Sequence, residues 1–306
     1  MSKASVRARK WAETLEETGF ADLQAENEEL RKALRRAVGL AWKSPPPKPP
    51  VPTILTRKGK AHRRYIVIPD TQAAPGDCLD NMDWAGRYIA EKRPDVIVHL
   101  GDNWDFPSLS SHDSPVKKAI EFRDWDLDVK AGNEALQRMT SKYRGVKGYA
   151  PEEHFLFGNH EDRLRRTLED LPWFRGALRR EDLNLSGWNV HEFLETVELD
   201  GVLFSHYFAN PLSGHPVGGT AHNLLRHVGK SCVMGHRQVL DCAVQQLPDG
   251  TQRRATICGA YYIGDQGYKG PQGNGHFRGL IVMNEVRDGM WDQLEVSIGY
   301  LGRKYG

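Results

Sequence analysis

The chain has 306 residues, of which 27% are charged, and its formal net charge is +2. This length is sufficient for one large domain with a sizeable core and an appendage. The near-neutral balance excludes a strongly basic protein that attracts nucleic acid through its overall charge.

The cysteines and the hydropathy of the chain bear on its compartment. Cys78, Cys232, Cys242 and Cys258 are scattered without a Cys-x-x-Cys pair, which is typical of free thiols in a reduced setting. The basic start is followed by no apolar stretch of the signal-peptide kind, and no run has the apolar length of a membrane span. These features predict a cytoplasmic protein that does not enter a membrane.

Residues 1–43 are predicted to form an N-terminal helix. With Leu23 and Leu30 at heptad positions d, Phe20 takes an a position. Asn27 takes another a position, where asparagine is tolerated best in a two-stranded parallel coil. The pattern therefore favours a short coiled coil and a homodimer. A helix whose apolar stripe packs on its own domain is the alternative.

Residues 44–63 are predicted to be a linker. Six prolines between Ser44 and Pro52 remove amide donors and fix φ, so this stretch should be an extended spacer of about 3 Å per residue. A basic stretch follows and approaches the first strand. A partner that recognises proline-rich segments is the alternative to a plain spacer.

Residues 64–306 are predicted to form one domain. Apolar runs alternate with helical patterns from Tyr65 onwards, which indicates βαβ units. Helices are expected over residues 81–92, 121–143 and 161–168, and five apolar residues in or beside the second are available for the core: Ile120, Leu127, Ala131, Leu136 and Met139. After His236, four alternating runs indicate a second, largely antiparallel sheet: residues 239–247, 255–259, 279–284 and 293–298. The predicted fold class is α/β, a two-sheet mixed β sandwich flanked by helices, with an N-terminal helix.

Five apolar runs end abruptly in side chains that can bind a metal. These side chains are Asp70 and Gln72, Asp102, Asn159 and His160, His206, and His236 and Gln238. Because the carboxyl ends of parallel strands meet at one edge of an α/β sheet, we expect all of them at one place. Aspartate, asparagine and histidine together suit manganese, iron or zinc, and the near-absence of cysteine beside them argues against a thiolate zinc site.

In this order the segments resemble the calcineurin-like metallophosphoesterases, whose blocks run D-x-H, G-D-x-x-D, G-N-H-[DE], H and G-H-x-H. Here the blocks read Asp70-Thr71-Gln72, Gly101-Asp102-Asn103-Trp104-Asp105, Gly158-Asn159-His160-Glu161, His206 and Gly235-His236-Arg237-Gln238. The resemblance covers roughly residues 64–300, and the two central blocks match fully. Phe106 and Phe157 stand where protein phosphatases usually carry arginine, so the chain is more similar to the nuclease and phosphodiesterase branch.

The resemblance implies a hydrolase that cleaves phosphoesters with a metal-activated hydroxide and one or two divalent metals, with Mn²⁺ as the first expectation and Fe or Zn as alternatives. Asp102 would bridge the two metals, and His160 would donate a proton to the leaving group or polarise the phosphate. The second metal would be completed by Asn159, His206 and His236. The first metal would be held by Asp70, Gln72 and Gln238.

Two residues depart from the family pattern. Gln72 and Gln238 replace the two histidines of the first metal. An amide oxygen is a weaker donor than imidazole towards transition metals, so the first site should be weaker and should prefer a harder cation. The alternative is a chain that has kept the fold and one metal but serves as a catalytically weak oligomeric scaffold.

The substrate is expected to be a phosphodiester, either DNA or a nucleotide, with a phosphomonoester or a phosphoprotein as the alternative. Two interpretations of Arg163, Arg165 and Arg166 stay open. They could contact a phosphate backbone. They could instead form a solvated helical face, since acidic residues are interleaved with the arginines later in this region. His99 lies inside an apolar run, and a core histidine is favoured over a ligand there.

Overall fold

The computed structural model describes residues 62–110, 124–265 and 274–306, the short strand Thr53–Leu55 and the isolated residues Glu29, Lys32 and Gln272. The chain divides into the units Met1–Pro49 and Pro50–Gly306. The predicted coiled coil lies outside the described residues, apart from Glu29 and Lys32, which are helical. The homodimer therefore stays a prediction.

The described strands form two six-stranded sheets. In chain order the strands are β1 (Thr53–Leu55), β2 (Arg63–Ile68), β3 (Val96–His99), β4 (Glu152–Leu156), β5 (Asn189–His191), β6 (Val197–Leu199), β7 (Val202–Ser205), β8 (Cys232–Met234), β9 (Leu240–Gln246), β10 (Gln252–Cys258), β11 (Gly279–Arg287) and β12 (Met290–Ser297). The first sheet has the order β12-β11-β2-β3-β4-β5, and the second has the order β1-β6-β7-β8-β10-β9.

Both sheets are mixed. Strands β2 to β5 are parallel neighbours, whereas β11 and β12 extend that sheet with antiparallel pairs. In the second sheet β7, β8 and β10 are parallel neighbours, and β9 closes the sheet as an antiparallel edge. The parallel strands β3, β7 and β8 are buried along their whole length, which explains why they read as continuous apolar runs in the sequence.

Side chains alternate between two apolar layers. Tyr65 and Val67 of β2 point into the layer between the sheets, where Tyr65 stacks on Phe204 with ring centroids 6.0 Å apart. Ile66 and Ile68 point to the opposite face and pack with the helices. The first sheet is therefore covered on both faces.

Five helices occur in the described domain: α1 (Asp80–Lys92), α2 (Trp125–Tyr143), α3 (Asp162–Asp170), α4 (Ala221–Val228) and α5 (Ile298–Tyr305). Helix α2 begins where the Asp124 carboxylate accepts hydrogen bonds from the N–H groups of Asp126 and Leu127. Helix α1 ends at Arg93 in the left-handed region, directly before Pro94. None of the described helices has the length and apolar character that crossing a membrane requires.

The predicted two-sheet sandwich is confirmed, but two details of it are wrong. The four runs after His236 do not form one antiparallel sheet, because β9 and β10 join β8 while β11 pairs with β2. The five strands that end in polar residues also belong to both sheets rather than one. Alternating patterns indicate a half-buried strand, but they do not determine which edge that strand joins.

Smaller differences concern particular segments. Thr53–Leu55, inside the predicted linker, pairs with β6 as an edge strand. Leu127, predicted as core, is 47% exposed, whereas Ala131, Leu136 and Met139 are buried and Ile120 lies outside the described residues. The last predicted strand gives way at Ile298 to α5, which the hydroxyl of Ser297 caps by accepting the N–H of Tyr300.

The packing of Gly132 in α2 against Trp104 generates a prediction. Trp104 is fully buried, and a methyl group at position 132 would collide with its indole ring. Gly132→Ala should therefore lower the free energy of unfolding by about 1 to 3 kcal/mol, despite the better helix propensity of alanine. Urea denaturation measures this change. Lys130→Ala on the exposed face of α2 is the matched control, and equal stability of the two variants would contradict the packing.

Candidate metal centre

The candidate centre lies where the two sheets meet at the carboxyl ends of their strands. Asp70, Asp102 and Asn159 follow β2, β3 and β4 of the first sheet, and His206 and His236 follow β7 and β8 of the second. Contacts cross between the sheets at this edge. The carbonyl of Leu100 accepts from His206 at 2.7 Å, and the backbone N–H of His236 donates to Asp70 at 2.9 Å.

Four donor atoms converge at this edge. Oδ1 of Asn159 lies 2.9 Å from Nε2 of His206 and 2.7 Å from Nδ1 of His236. Oδ2 of Asp102 lies 3.4 Å from Nε2 of His206. The ligand atoms of Asp102, His206 and His236 all fall within 4.8 Å of one another, so a single divalent ion could contact all of them.

The orientation of the His206 ring follows from its partners. Its Nδ1 faces the carbonyl oxygen of Leu100, which only accepts, so Nδ1 carries a proton. Nε2 is the ring nitrogen left to bind a metal, and it lies 2.9 Å from the amide oxygen of Asn159. The donor set therefore fits a metal ion. The hydrogen bond from Nδ1–H to the Leu100 carbonyl orients the ring, as is common for histidines that bind a metal through the other nitrogen.

The charges of the centre also suit a metal. Burial lowers the pKa of His236 to about 4, with a further contribution from His206, so its imidazole is neutral near pH 7. Burial raises the pKa of Asp102, but His160 and His206 outweigh this effect and place it below its ordinary value. Metal binding needs a neutral imidazole and an ionised carboxylate, and both are present here.

Asp70 and Gln72 form the other side of the centre. Oδ2 of Asp70 and Oε1 of Gln72 are two of the six buried side-chain polar atoms that lack a hydrogen-bond partner in the described part of the chain. Leaving such an atom unsatisfied costs about 1 to 3 kcal/mol, and a cation bound at this edge would remove that cost. Gln238 is also buried, and its Oε1 accepts from the Tyr262 hydroxyl at 2.9 Å.

His160 lies beside the centre and not within it. Its Nε2 is 3.7 Å from Oδ2 of Asp102, and its Nδ1 is 3.0 Å from both the carboxylate and the carbonyl of Asp105. Burial lowers the pKa of His160, but Asp102 and Asp105 together raise it by more than burial lowers it. The pKa therefore lies above its ordinary value. The ring is thus favoured in its protonated form, which a proton donor requires.

The structure shows two roles that the sequence did not indicate. The Glu161 carboxylate accepts from the backbone N–H groups of Gly158, Asp102, Asn103 and Trp104, at 2.7 to 3.2 Å. The guanidinium of Arg163 lies 3.0 Å from Nε2 of His160. Glu161 was visible as the last residue of a motif, whereas nothing in the sequence distinguished Arg163 from its neighbours Arg165 and Arg166.

His99 occupies the core, in agreement with the sequence. It is fully buried and stacks on Phe155 with ring centroids 4.7 Å apart. Burial lowers its pKa to about 3, so the ring is neutral. His99 supports the turn that carries Asp102, because its Nδ1 accepts the backbone N–H of Gly101 at 3.2 Å.

Residues 63–250 match the sequence model of the Metallophos family, described as calcineurin-like phosphoesterase. The chain belongs to this family. It is therefore a hydrolase that acts on phosphoester bonds, and the family implies divalent metal ions. Asp102, Asn159, His206 and His236 would hold one ion, and Asp70 and Gln72 offer oxygens for another.

Similar proteins occur in two mycobacteriophages. The Gene 54 proteins of Mycobacterium phages L5 and D29 are each 27% identical to this chain over 190 residues, which cover 57% of this chain and 68% of theirs. Among solved structures, the phosphoesterase Yfce from E. coli aligns with a TM-score of 0.37 and 13% identity, covering 76% of this chain and 100% of Yfce. A predicted phosphoesterase from Streptococcus pneumoniae TIGR4 aligns with a TM-score of 0.30 and 10% identity, covering 78% and 99%.

The central place of Asp102 generates a prediction. Asp102→Asn keeps the shape of the side chain but removes the charge between the two halves of the centre. We expect kcat/KM for a phosphoester to fall by at least about a hundredfold, because even changes to residues behind the ligands cost ten- to hundredfold. Elemental analysis should show less bound metal, with an unchanged circular dichroism spectrum. Asp292→Asn, at an exposed position in β12, is the control. Full activity of the Asp102 variant would contradict its role.

Proposed function

We propose that this protein hydrolyses phosphodiester bonds, in DNA or in nucleotides, by means of a metal-activated hydroxide. The observation that supports this function best is the convergence of Asp102, Asn159, His206 and His236 at the sheet edge, with His160 beside them. Mn²⁺ is proposed for that half of the centre, with Fe or Zn as alternatives, because its mixed set of carboxylate, amide and imidazole donors suits these ions. A bound divalent ion supplies the hydroxide and neutralises charge on the phosphate oxygens.

In this proposal His160 donates the proton to the leaving group. Its Nδ1–H is held by Asp105, and its Nε2 lies 3.7 Å from Oδ2 of Asp102 and 3.0 Å from the Arg163 guanidinium. A guanidinium only donates, so Nε2 accepts from Arg163 in this arrangement and can carry a proton only when Arg163 turns from it to the phosphate. Asp105 keeps the ring in one orientation and favours the imidazolium form. A leaving alkoxide is a strong base, so protonation by a positioned imidazolium assists its departure.

Arg163 is proposed to bind a non-bridging phosphate oxygen. Its guanidinium donates to the carbonyls of Asp105 and Phe106 at 2.6 and 3.3 Å, and in the described part of the chain no carboxylate lies within ion-pair distance of it. A cation that is fixed by carbonyls keeps its charge available for an anionic ligand. By contrast, Arg165 on the same helix pairs with Asp162 and Glu169.

The preference for a diester rests on the two positions at which protein phosphatases usually carry arginine. A phosphomonoester carries about one more negative charge than a diester near pH 7. Phe106 and Phe157 occupy the positions at which protein phosphatases usually carry arginine, and both are buried in the core. These apolar residues offer no charge to a dianionic phosphate, so the monoanionic diester is the better match.

A direct assay separates these substrates. Hydrolysis of a chromogenic phosphodiester and of the matching monoester is measured with Mn²⁺, Zn²⁺ or Mg²⁺ and with chelator. We expect the diester to have the higher kcat/KM and the chelator to abolish the activity. A higher kcat/KM for the monoester would overturn the assignment of the substrate, and absence of hydrolysis with every metal would overturn the proposed function.

Arg163 can be tested against its neighbour. Arg163→Gln should raise KM for the diester about ten- to hundredfold, which corresponds to the loss of one or two hydrogen bonds to a charged group, with a smaller effect on kcat. Inorganic phosphate should inhibit this variant more weakly. Arg165→Gln is the matched control and should leave KM unchanged. If Arg163 has only a structural role, its loss will reduce thermal stability and leave KM and phosphate inhibition as they are.

A further inference from the structure

The two halves of the metal centre offer different donor atoms. One half has the imidazole nitrogens of His206 and His236 and the amide oxygen of Asn159. The other half, Asp70 with Gln72 and Gln238, offers oxygen donors only. Imidazole nitrogens favour transition metals over magnesium, whereas carboxylate and carbonyl oxygens suit magnesium, calcium and manganese alike. The difference in ligands therefore predicts a difference in the preferred ion.

The oxygen-only half is built to receive a cation. Oδ1 of Asp70 is satisfied by the N–H of His236, but its Oδ2 has no hydrogen-bond donor. The backbone N–H of Gln72 is held by the carbonyl of Asp102, and its side-chain Oε1 is likewise buried without a donor. Each residue is held by one hydrogen bond, and another atom of the same residue is a buried oxygen without a donor. A cation at this edge would compensate for the missing donors.

Gln238 and its surroundings are consistent with a hard ion. The Tyr262 hydroxyl donates to Gln238 Oε1, and an amide oxygen has two lone pairs, so this bond is compatible with coordination by the same atom. A cavity of about 110 Å³ adjoins this side and is lined by Gln72, Asp105 and Tyr262, among others. It has room for several water molecules. Magnesium retains several waters when it binds to proteins through one or two carboxylates.

We propose that the half formed by Asp70, Gln72 and Gln238 takes Mg²⁺ when Mg²⁺ is in excess, while the half formed by Asn159, His206 and His236 keeps a transition metal, so that the working centre is a mixed pair. The proposal rests on the metal-dependent function proposed above and deepens it. The two glutamines are the residues that set this selectivity, because each replaces an imidazole by an amide oxygen.

Competition between metals tests the proposal. Metal-free protein is equilibrated with Mn²⁺ in a large excess of Mg²⁺, and the bound Mn²⁺ is measured by elemental analysis and electron paramagnetic resonance. We expect the unaltered chain to retain one Mn²⁺ with the spectrum of an isolated ion. The double variant Gln72→His and Gln238→His should bind a second Mn²⁺ about tenfold more tightly or better, and the two ions should give an exchange-coupled spectrum.

Two further variants serve as a control and as an independent test of the oxygen donors. Gln246→His places a histidine at an exposed position of β9 and should bind Mn²⁺ as the unaltered chain does. Gln72→Glu keeps the oxygen-only donor set, so it should tighten Mg²⁺ binding and still retain one Mn²⁺. This variant gives a result even if the double histidine variant does not fold, which circular dichroism would reveal.

Two outcomes would overturn the proposal. The first is retention of two Mn²⁺ by the unaltered chain in excess Mg²⁺. The second is a folded double histidine variant that still binds a single Mn²⁺, because Gln72 and Gln238 would then not face a metal site. Hydrolysis of the chromogenic diester is followed in the same samples. Hydrolysis by protein that holds two Mn²⁺ would contradict the mixed pair but not the proposed function. A mixed pair that hydrolyses no diester would contradict the proposed function but not the mixed pair.

Discussion

The centre depends on the buried carboxylate of Glu161. Its two oxygens accept four backbone N–H groups, one from Gly158 and three from the turn that follows β3. An ionised carboxylate has enough lone pairs for four such bonds, and each is strengthened by its charge, whereas a glutamine would offer one acceptor oxygen. The bonds tie the turn that carries Asp102 to the turn that carries Asn159, so the spacing of these two donors is set before any ion binds.

The second constraint is the packing of the sheets against each other. The first sheet supplies the carboxylates and Asn159, and the second supplies both histidines. The layer that joins them contains fully buried side chains such as Tyr65, Phe204 and Val233. Because protein interiors are close-packed, a small shift in this layer would move the histidines away from Asp102. Catalysis in this family member therefore depends on a core that contains none of its donor residues.

The two halves of the centre are stabilised in different ways. The imidazole of His206 is oriented by a backbone carbonyl, which leaves its Nε2 to bind a metal. Asp70 and Gln72 instead carry buried oxygens without partners. The first half resembles a transition-metal site, and the second resembles a site for a hard cation with bound water. In the proposed centre, the two glutamines change the donor atoms offered to the ion while the two-sheet fold is kept.

The sequence by itself determined the buried parallel strands and the residues at their ends. Strands covered on both faces read as unbroken apolar runs, and each motif block is a local segment of a few residues. The tertiary structure decided the rest: the division of the five strands between two sheets, the exposure of Leu127, and the places of Glu161 and Arg163. Pairing between β11 and β2, more than two hundred residues apart, depends on hydrogen bonds that leave no trace in local periodicity. For the same reason, Arg163 could be distinguished from its helical neighbours only by what it contacts across the fold.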